Sequence, residues 1–291
     1  ESMAELANSK HIFARTVTPD DLSLQMIGYR PRRRAVVKVS AGDEIVYVKV
    51  LRSRLFDDVL ARHRLLSEAG LPVADVAATT DDHLLVLREL RGEPLARAIF
   101  EPAEPCTAEA LIGLLDAMPA SVARLDRRPP WSDAVAHYAR MVAAAMPVLG
   151  TKLNWLVDTI SQGLASIPPG SEPTHGDFHE GQVHVAGGRV CGLLDTDTIG
   201  PGRRADDLAC LVAHLSTIQR MNSAQEARVH QLIRRWVPVF DTRVDATELR
   251  LRSAAVIISL ATGPFRGQEP DWERETATMI GSAEALVRQV S

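Results

Sequence analysis

The spacing of apolar and polar positions changes character near residue 90. Before it, short runs alternate in the manner of strands: 23–28, 35–39 and 44–51, the last β-branched and aromatic after a Gly42-Asp43 turn. These predict a small antiparallel meander. A helix is expected over 56–69, where Phe56, Leu60, His63 and Leu66 share one face, and Gly70 and Pro72 end it. One more strand follows at 83–87. The chain before Asp20 reads as irregular or a short helix.

Beyond Pro105 the period becomes helical. Helices are expected over 107–125 (Leu111, Leu114, Leu115 and Met118 on one face), 134–149 and 154–165, with Pro-rich breaks at 127–130 and 167–170. Two short apolar runs, 183–185 and 190–194, flank Gly187-Gly188 and predict a hairpin. Helices then start at Asp206 or Asp207, with Asp206 as the cap, and span 223–237. Another opens on the capping-box form Asp245-Ala246-Thr247-Glu248, runs to about 260 and stops at Gly263-Pro264, and a last one runs to about 290. The whole is an α+β chain in two parts, 1–90 and 91–291, without internal repeats.

The chemistry concentrates in Thr174-His175-Gly176-Asp177-Phe178-His179-Glu180-Gly181-Gln182 and in Leu194-Asp195. Asp177 and the amide of Gln182, five positions on, have the Asp-x-x-x-x-Asn spacing of a kinase catalytic loop. There the Asp accepts the proton of the attacking hydroxyl, and the amide oxygen and a later Asp hold magnesium through hard oxygen donors. The hairpin turn brings Asp195 back toward that loop. Lys49 is the second notable residue, a cation on an otherwise apolar strand.

These motifs, with Gly200-Pro201-Gly202 and Asp206-Asp207-Leu208-Ala209, resemble the aminoglycoside phosphotransferase family, which also includes choline, homoserine and maltose kinases. Most members carry Asn where Gln182 stands; the HGDxHxGQ form is similar to maltokinase-type members. The resemblance implies a protein-kinase-like, two-lobed fold: a small N-terminal antiparallel sheet plus helix that binds nucleotide, and a larger, mostly helical C-terminal lobe for catalysis and substrate. It implies transfer of the γ-phosphoryl group of ATP, with GTP possible, to a hydroxyl of an aminoglycoside, sugar or similar alcohol. Asp177 would be the base, Gln182 and Asp195 the Mg2+ ligands, and Lys49 the α/β-phosphate ligand. Arg88, Glu89, Leu90 and Arg91 would form the adenine-contacting hinge through their backbone. The family's helix carboxylate that pairs with the lysine falls on Leu60, leaving Asp57 or Asp58 to substitute. His175 would position the loop and Asp207 would brace it from below; the arginines among residues 30–34 would partly replace a phosphate-covering glycine-rich loop, or else form a solvated basic turn.

Bulk properties narrow the setting. A net charge of −4 gives no basis for nucleic-acid binding. Three scattered cysteines, Cys106, Cys191 and Cys210, fit reduced thiols in a cytoplasmic protein. No apolar run approaches the ~20 residues of a membrane span. The sequence sets no oligomeric state. Two rival readings stay open: a non-catalytic kinase-like nucleotide-binding module, and a metal-dependent phosphoester hydrolase using His175, Asp177, His179, His184 and Asp195.

Overall fold

The computed structural model describes residues 12–13, 17–31, 34–218 and 221–290. Its chain divides into two compact units, Glu1–Gly92 with Cys191–Asp197, and Glu93–Val190 with Thr198–Ser291.

The first unit is built on an antiparallel sheet. Strands β1 (Ser23–Arg30), β2 (Arg34–Ala41) and β3 (Glu44–Leu51) form the meander. Helix α1 (Ser53–Glu68) follows, then β4 (Val76–Thr79), which the sequence pattern does not announce, and β5 (Leu84–Arg88). The order across the sheet is β1-β2-β3-β5-β4. Alternation along β3 gives each face its own core. Val46 and Val48, with Val39, Leu84 and Val86, pack on Ile12, Phe13 and Val17. Leu51, Leu85 and Leu87 on the other face pack on Phe56 and Val59 of α1. Of the chain before Asp20, most lies outside the described residues; Pro19–Asp21 forms a short 3-10 turn.

The second unit is mostly helical. The short strand β6 (Glu93–Pro94) leads into the one-turn helix α2 (Leu95–Ala98). Helix α3 covers Ala108–Asp116 only, short of the expected 107–125. Pro119 lacks an N–H and disfavours helical backbone before it, so the chain turns and resumes as a 3-10 segment, Ala120–Arg124. Pro147 likewise ends α4 (Val135–Ala145) ahead of the expected 149. Helix α5 spans Gly150–Leu164, and β7 (Glu172–Thr174) enters the His-Gly-Asp loop.

Strands β8 (Val183–Ala186) and β9 (Arg189–Leu193) are joined through Gly187 and Gly188, both with positive φ (57° and 74°), as a tight two-residue turn requires. Within this unit β8 pairs with β6, and β10 (Gly200–Gly202) pairs with β7.

Helix α6 spans Arg204–Leu215 and α7 Ser223–Phe240. Helix α8 (Ala246–Leu260) is the hub, buried along nearly its whole length from Leu249 to Ser259, with Asp245 accepting the Glu248 N–H as its cap. Each fully buried Leu or Ile there contributes roughly 1.5–3 kcal/mol. The chain closes with α9 (Gly263–Arg266) and α10 (Trp272–Val287), which packs on α8. No helix among the described residues is long and apolar enough to cross a membrane.

Candidate active site

Within the second unit, β7 delivers a braced loop. Asp207, near the start of α6, is fully buried and accepts the backbone N–H groups of His175 (2.9 Å) and Gly176 (2.8 Å), one on each carboxylate oxygen. Arg204 NH1 stands 3.2 Å from the same carboxylate and its NH2 donates to Leu115 O. The loop therefore rests on a buried charge pair. Gly176 has φ +82°, and a Cβ there would lie 2.7 Å from Thr198 O, so only glycine fits. His175 is fully buried; its Nδ1 accepts the Asp177 N–H at 3.3 Å and its C=O accepts the Thr198 hydroxyl at 2.8 Å. These contacts pin the backbone leading into Asp177 and its own N–H; the Asp177 side chain is half-buried with Cys210 Sγ 4.0 Å from Oδ1.

Asp206 has a different place from the cap expected of it. The cap position is Arg203, and Asp206 sits three residues into the first turn, accepting the Arg203 N–H and pairing with Arg252 at 2.6 Å.

One consequence of the bracing is an expected result. Asp207→Ala leaves Arg204 buried without that carboxylate and two backbone donors unmet. It should cost about 3–5 kcal/mol of stability by denaturant titration, far more than truncating an exposed surface carboxylate would.

Gln182 is oriented by His179. Its carboxamide nitrogen stands 3.1 Å from His179 Nε2, while Gly181 N–H donates to Nδ1 at 3.1 Å. With Nδ1 accepting, a neutral ring carries its proton on Nε2, and the carboxamide turns its oxygen to that proton. A carbonyl oxygen has a second lone pair, so the same atom can also meet a cation.

His179, Glu180 and His214 form the one histidine–carboxylate group among the described residues whose ligand atoms lie within 4.8 Å of one another. Sequence reading pointed to neither Glu180 nor His214. The two rings stack in parallel, centroids 4.1 Å apart and 8° between planes, so their in-plane lone pairs do not converge on one ion. Burial pushes the Glu180 carboxyl up to about 7 and the His214 imidazole down to about 3.

The His214 shift has a sign that can be checked. The folded protein keeps His214 neutral, whereas the unfolded chain takes up a proton below its ordinary 6.5. Stability contributed by this group is therefore full above 6.5 and lost as pH falls toward 3, reaching about 2 kcal/mol by pH 5. In His214→Gln, unfolding free energy measured at pH 5 and pH 7.5 should differ less than in the wild type by about that amount.

Within the first unit, Asp195 and Asp197 meet two cations. Lys49, 9% exposed, donates to Asp197 Oδ1 at 2.8 Å and stands 3.4 Å from Asp195 Oδ1. Arg34 grips Asp195 with both terminal nitrogens, 2.7 Å each to Oδ1 and Oδ2, and reaches Asp197 Oδ2 at 2.5 Å. The hydrogen bond to Asp195 drives the Arg34 pKa upward, fixing its charge. Asp195 has φ +52°, a left-handed conformation that Asp tolerates better than most residues. Register explains why both cations are there: Val36 pairs with Lys49 and Arg34 with Leu51, so Arg34 and Lys49 occupy diagonal positions on one face of the sheet.

Asp57 and Asp58 do not supply the lysine's partner. Asp58 accepts from Arg62, one turn on, at 2.9 Å. Among the described residues the carboxylates on Lys49 are Asp197 and Asp195. One turn after Leu60, α1 buries His63, whose Nε2 lies 2.6 Å from Ala74 O and whose Nδ1 lies 3.4 Å from Thr196 Oγ1. Burial lowers the His63 pKa, so it stays neutral there. Sequence spacing contained no signal for either role.

The residues expected to form the hinge begin at Arg88, the last residue of β5, and run on to Arg91. Arg88 N–H donates to Asp75 O at 2.9 Å and its side chain to Ile12 O at 3.2 Å. Glu89 accepts from the Tyr47 hydroxyl at 3.2 Å, Leu90 packs against the α1 side of the sheet, and Arg91 O accepts from Cys191 Sγ at 3.3 Å.

The profile of the phosphotransferase enzyme family (APH) matches residues 28–242, most of the chain. The chain belongs to that family. The phosphotransferase fold recurs in solved structures at low identity. A thermostable mutant of the aminoglycoside phosphotransferase APH(4)-Ia, in a ternary complex with ADP and hygromycin B, matches with a TM-score of 0.64 at 14% identity, covering 100% of this chain and 99% of that one. Spectinomycin phosphotransferase APH(9)-Ia, in complex with ADP and spectinomycin, matches at 0.62 and 13%, covering 98% and 97%. A choline/ethanolamine kinase family protein from Mesorhizobium loti matches at 0.61 and 16%, covering 98% and 94%. No curated protein matches. The phosphotransferase therefore has the kinase-like α+β fold, an N-terminal antiparallel sheet followed by helices.

Proposed function

We propose that this phosphotransferase moves the γ-phosphoryl group of ATP to a hydroxyl of an aminoglycoside, sugar or similar small alcohol, with Mg2+. The observation that carries the reading is the Asp207-braced loop, which presents Asp177 on backbone hydrogen-bonded at His175, Gly176 and Asp177 itself. A hydroxyl needs a positioned base, and a carboxylate on a rigid loop is one. Lys49 binds the α/β-phosphates, and the 88–91 segment meets the base through its backbone.

The donor chemistry fits a magnesium site. Asp195 is a carboxylate already satisfied by neighbouring positive charge, and Gln182 has a neutral oxygen donor. When bound, magnesium–nucleotide supplies the transferable group and screens its charge. Asp177 then takes the acceptor proton, while Lys49 and Gln182 hold their partners in place. The bound antibiotics of the two aminoglycoside phosphotransferase relatives and the kinase kinship of the third support a small hydroxyl acceptor.

The test is ATP consumption over a panel of aminoglycosides, amino sugars, maltose-like sugars, choline and homoserine, with GTP in parallel. One class should raise consumption well above the acceptor-free rate. A flat panel with both nucleotides would remove the proposal.

A further inference from the structure

We propose that Arg34 is a nucleotide-phosphate ligand which, without nucleotide, occupies the carboxylate reserved for the metal. The inference rests on the nucleotide site proposed above and adds a residue and an exchange to it.

Asp195 and Asp197 carry two negative charges, and Arg34 and Lys49 carry two positive ones. The cluster is neutral as it stands and only partly open to solvent, with side-chain exposures of 11–21%. Lys49 uses one oxygen of each carboxylate. Arg34 spends its fork on both oxygens of Asp195. A divalent cation on an Asp195 oxygen would sit against the Arg34 guanidinium, and like-charge repulsion drives Arg34 to withdraw.

Released from Asp195, Arg34 keeps only Asp197, which Lys49 shares, and a half-buried guanidinium with its fork half empty favours another anion. The anion that accompanies the cation is the polyphosphate. A planar guanidinium fork matches phosphate oxygens as well as it matches a carboxylate. Arg34 is also placed for this. It is the first residue of β2, beside the β1–β2 turn, and lies on the same sheet face as Lys49. The exchange keeps every charge paired: Arg34 passes from Asp195 to phosphate as Asp195 passes to the metal. It gives a definite task to one basic residue of the 30–34 stretch, of which 32 and 33 lie outside the described residues.

Two binding measurements on the full chain test it, neither needing turnover. The probes are Mn2+ alone, followed by electron paramagnetic resonance, and Mn2+ with AMP-PNP, followed by calorimetry. Arg34→Gln should bind Mn2+ alone about tenfold or more tighter than wild type and Mn2+–AMP-PNP about tenfold or more weaker. Arg34→Lys keeps the charge without the fork and should shift both constants in the same directions by less. If Arg34→Gln fails to fold, the signs of the Arg34→Lys shifts decide. Unchanged Mn2+ affinity, or unchanged AMP-PNP affinity, overturns the exchange while leaving the nucleotide site intact. A wild-type protein that does not bind Mn2+–AMP-PNP overturns the nucleotide site itself, and the exchange with it.

Discussion

Asp177→Asn should lower kcat by about 10²–10⁴-fold and leave the dissociation constant for magnesium–nucleotide within about twofold of wild type. The amide has the same shape and keeps the loop backbone, whose hydrogen bonds run through His175, Thr198 and Asp207, all independent of the Asp177 side chain. What it loses is the ability to take a proton. A variant that folds, binds and does not turn over separates a base from a turn-capping carboxylate. Loss of folding would assign Asp177 to structure; unchanged kcat would dismiss it as the base. Stopped-flow nucleotide binding and initial rates on one preparation give both readings.

Asp195→Ala should abolish the metal dependence of nucleotide binding and lower turnover by at least about 10²–10³-fold. The fold should persist, because Lys49 and Arg34 both retain Asp197. That retention makes the variant informative: the ion pairs are halved and the metal donor is lost. Nucleotide affinity measured with and without Mg2+ should then coincide. A Mg2+ dependence equal to wild type would move the metal site elsewhere.

The sequence made the His-Gly-Asp loop legible because its chemistry is local. His175, Gly176 and Asp177 are adjacent, and Asp207 stands in the first turn of a helix whose apolar face announces it; the two carboxylate bonds to the loop agree with the bracing role that the resemblance implied. Strand β3 was equally plain, from β-branched alternation, and its bounds match residue for residue. Other parts depend on contacts far apart in sequence. The carboxylates on Lys49 lie 146–148 positions away, where no local pattern reaches, and the resemblance instead implies a partner on the helix, at Asp57 or Asp58. Arg34 shows only as one basic residue in a basic turn until the strand register sets it beside Lys49. The stacked His179–His214 pair joins a loop to the end of a helix, and no periodicity links them. Two helices were read too long because apolar spacing continues across Pro119 and Pro147, whose effect on backbone outweighs the pattern.

The most direct test follows the γ-phosphorus of ATP by 31P NMR in the presence of the acceptor that raises consumption. The account requires a new phosphomonoester resonance that grows as ATP falls, needs Mg2+, and is absent over the same period with Asp177→Asn. Inorganic phosphate as the sole product, or an ester signal that forms as fast with Asp177→Asn as with wild type, would contradict it.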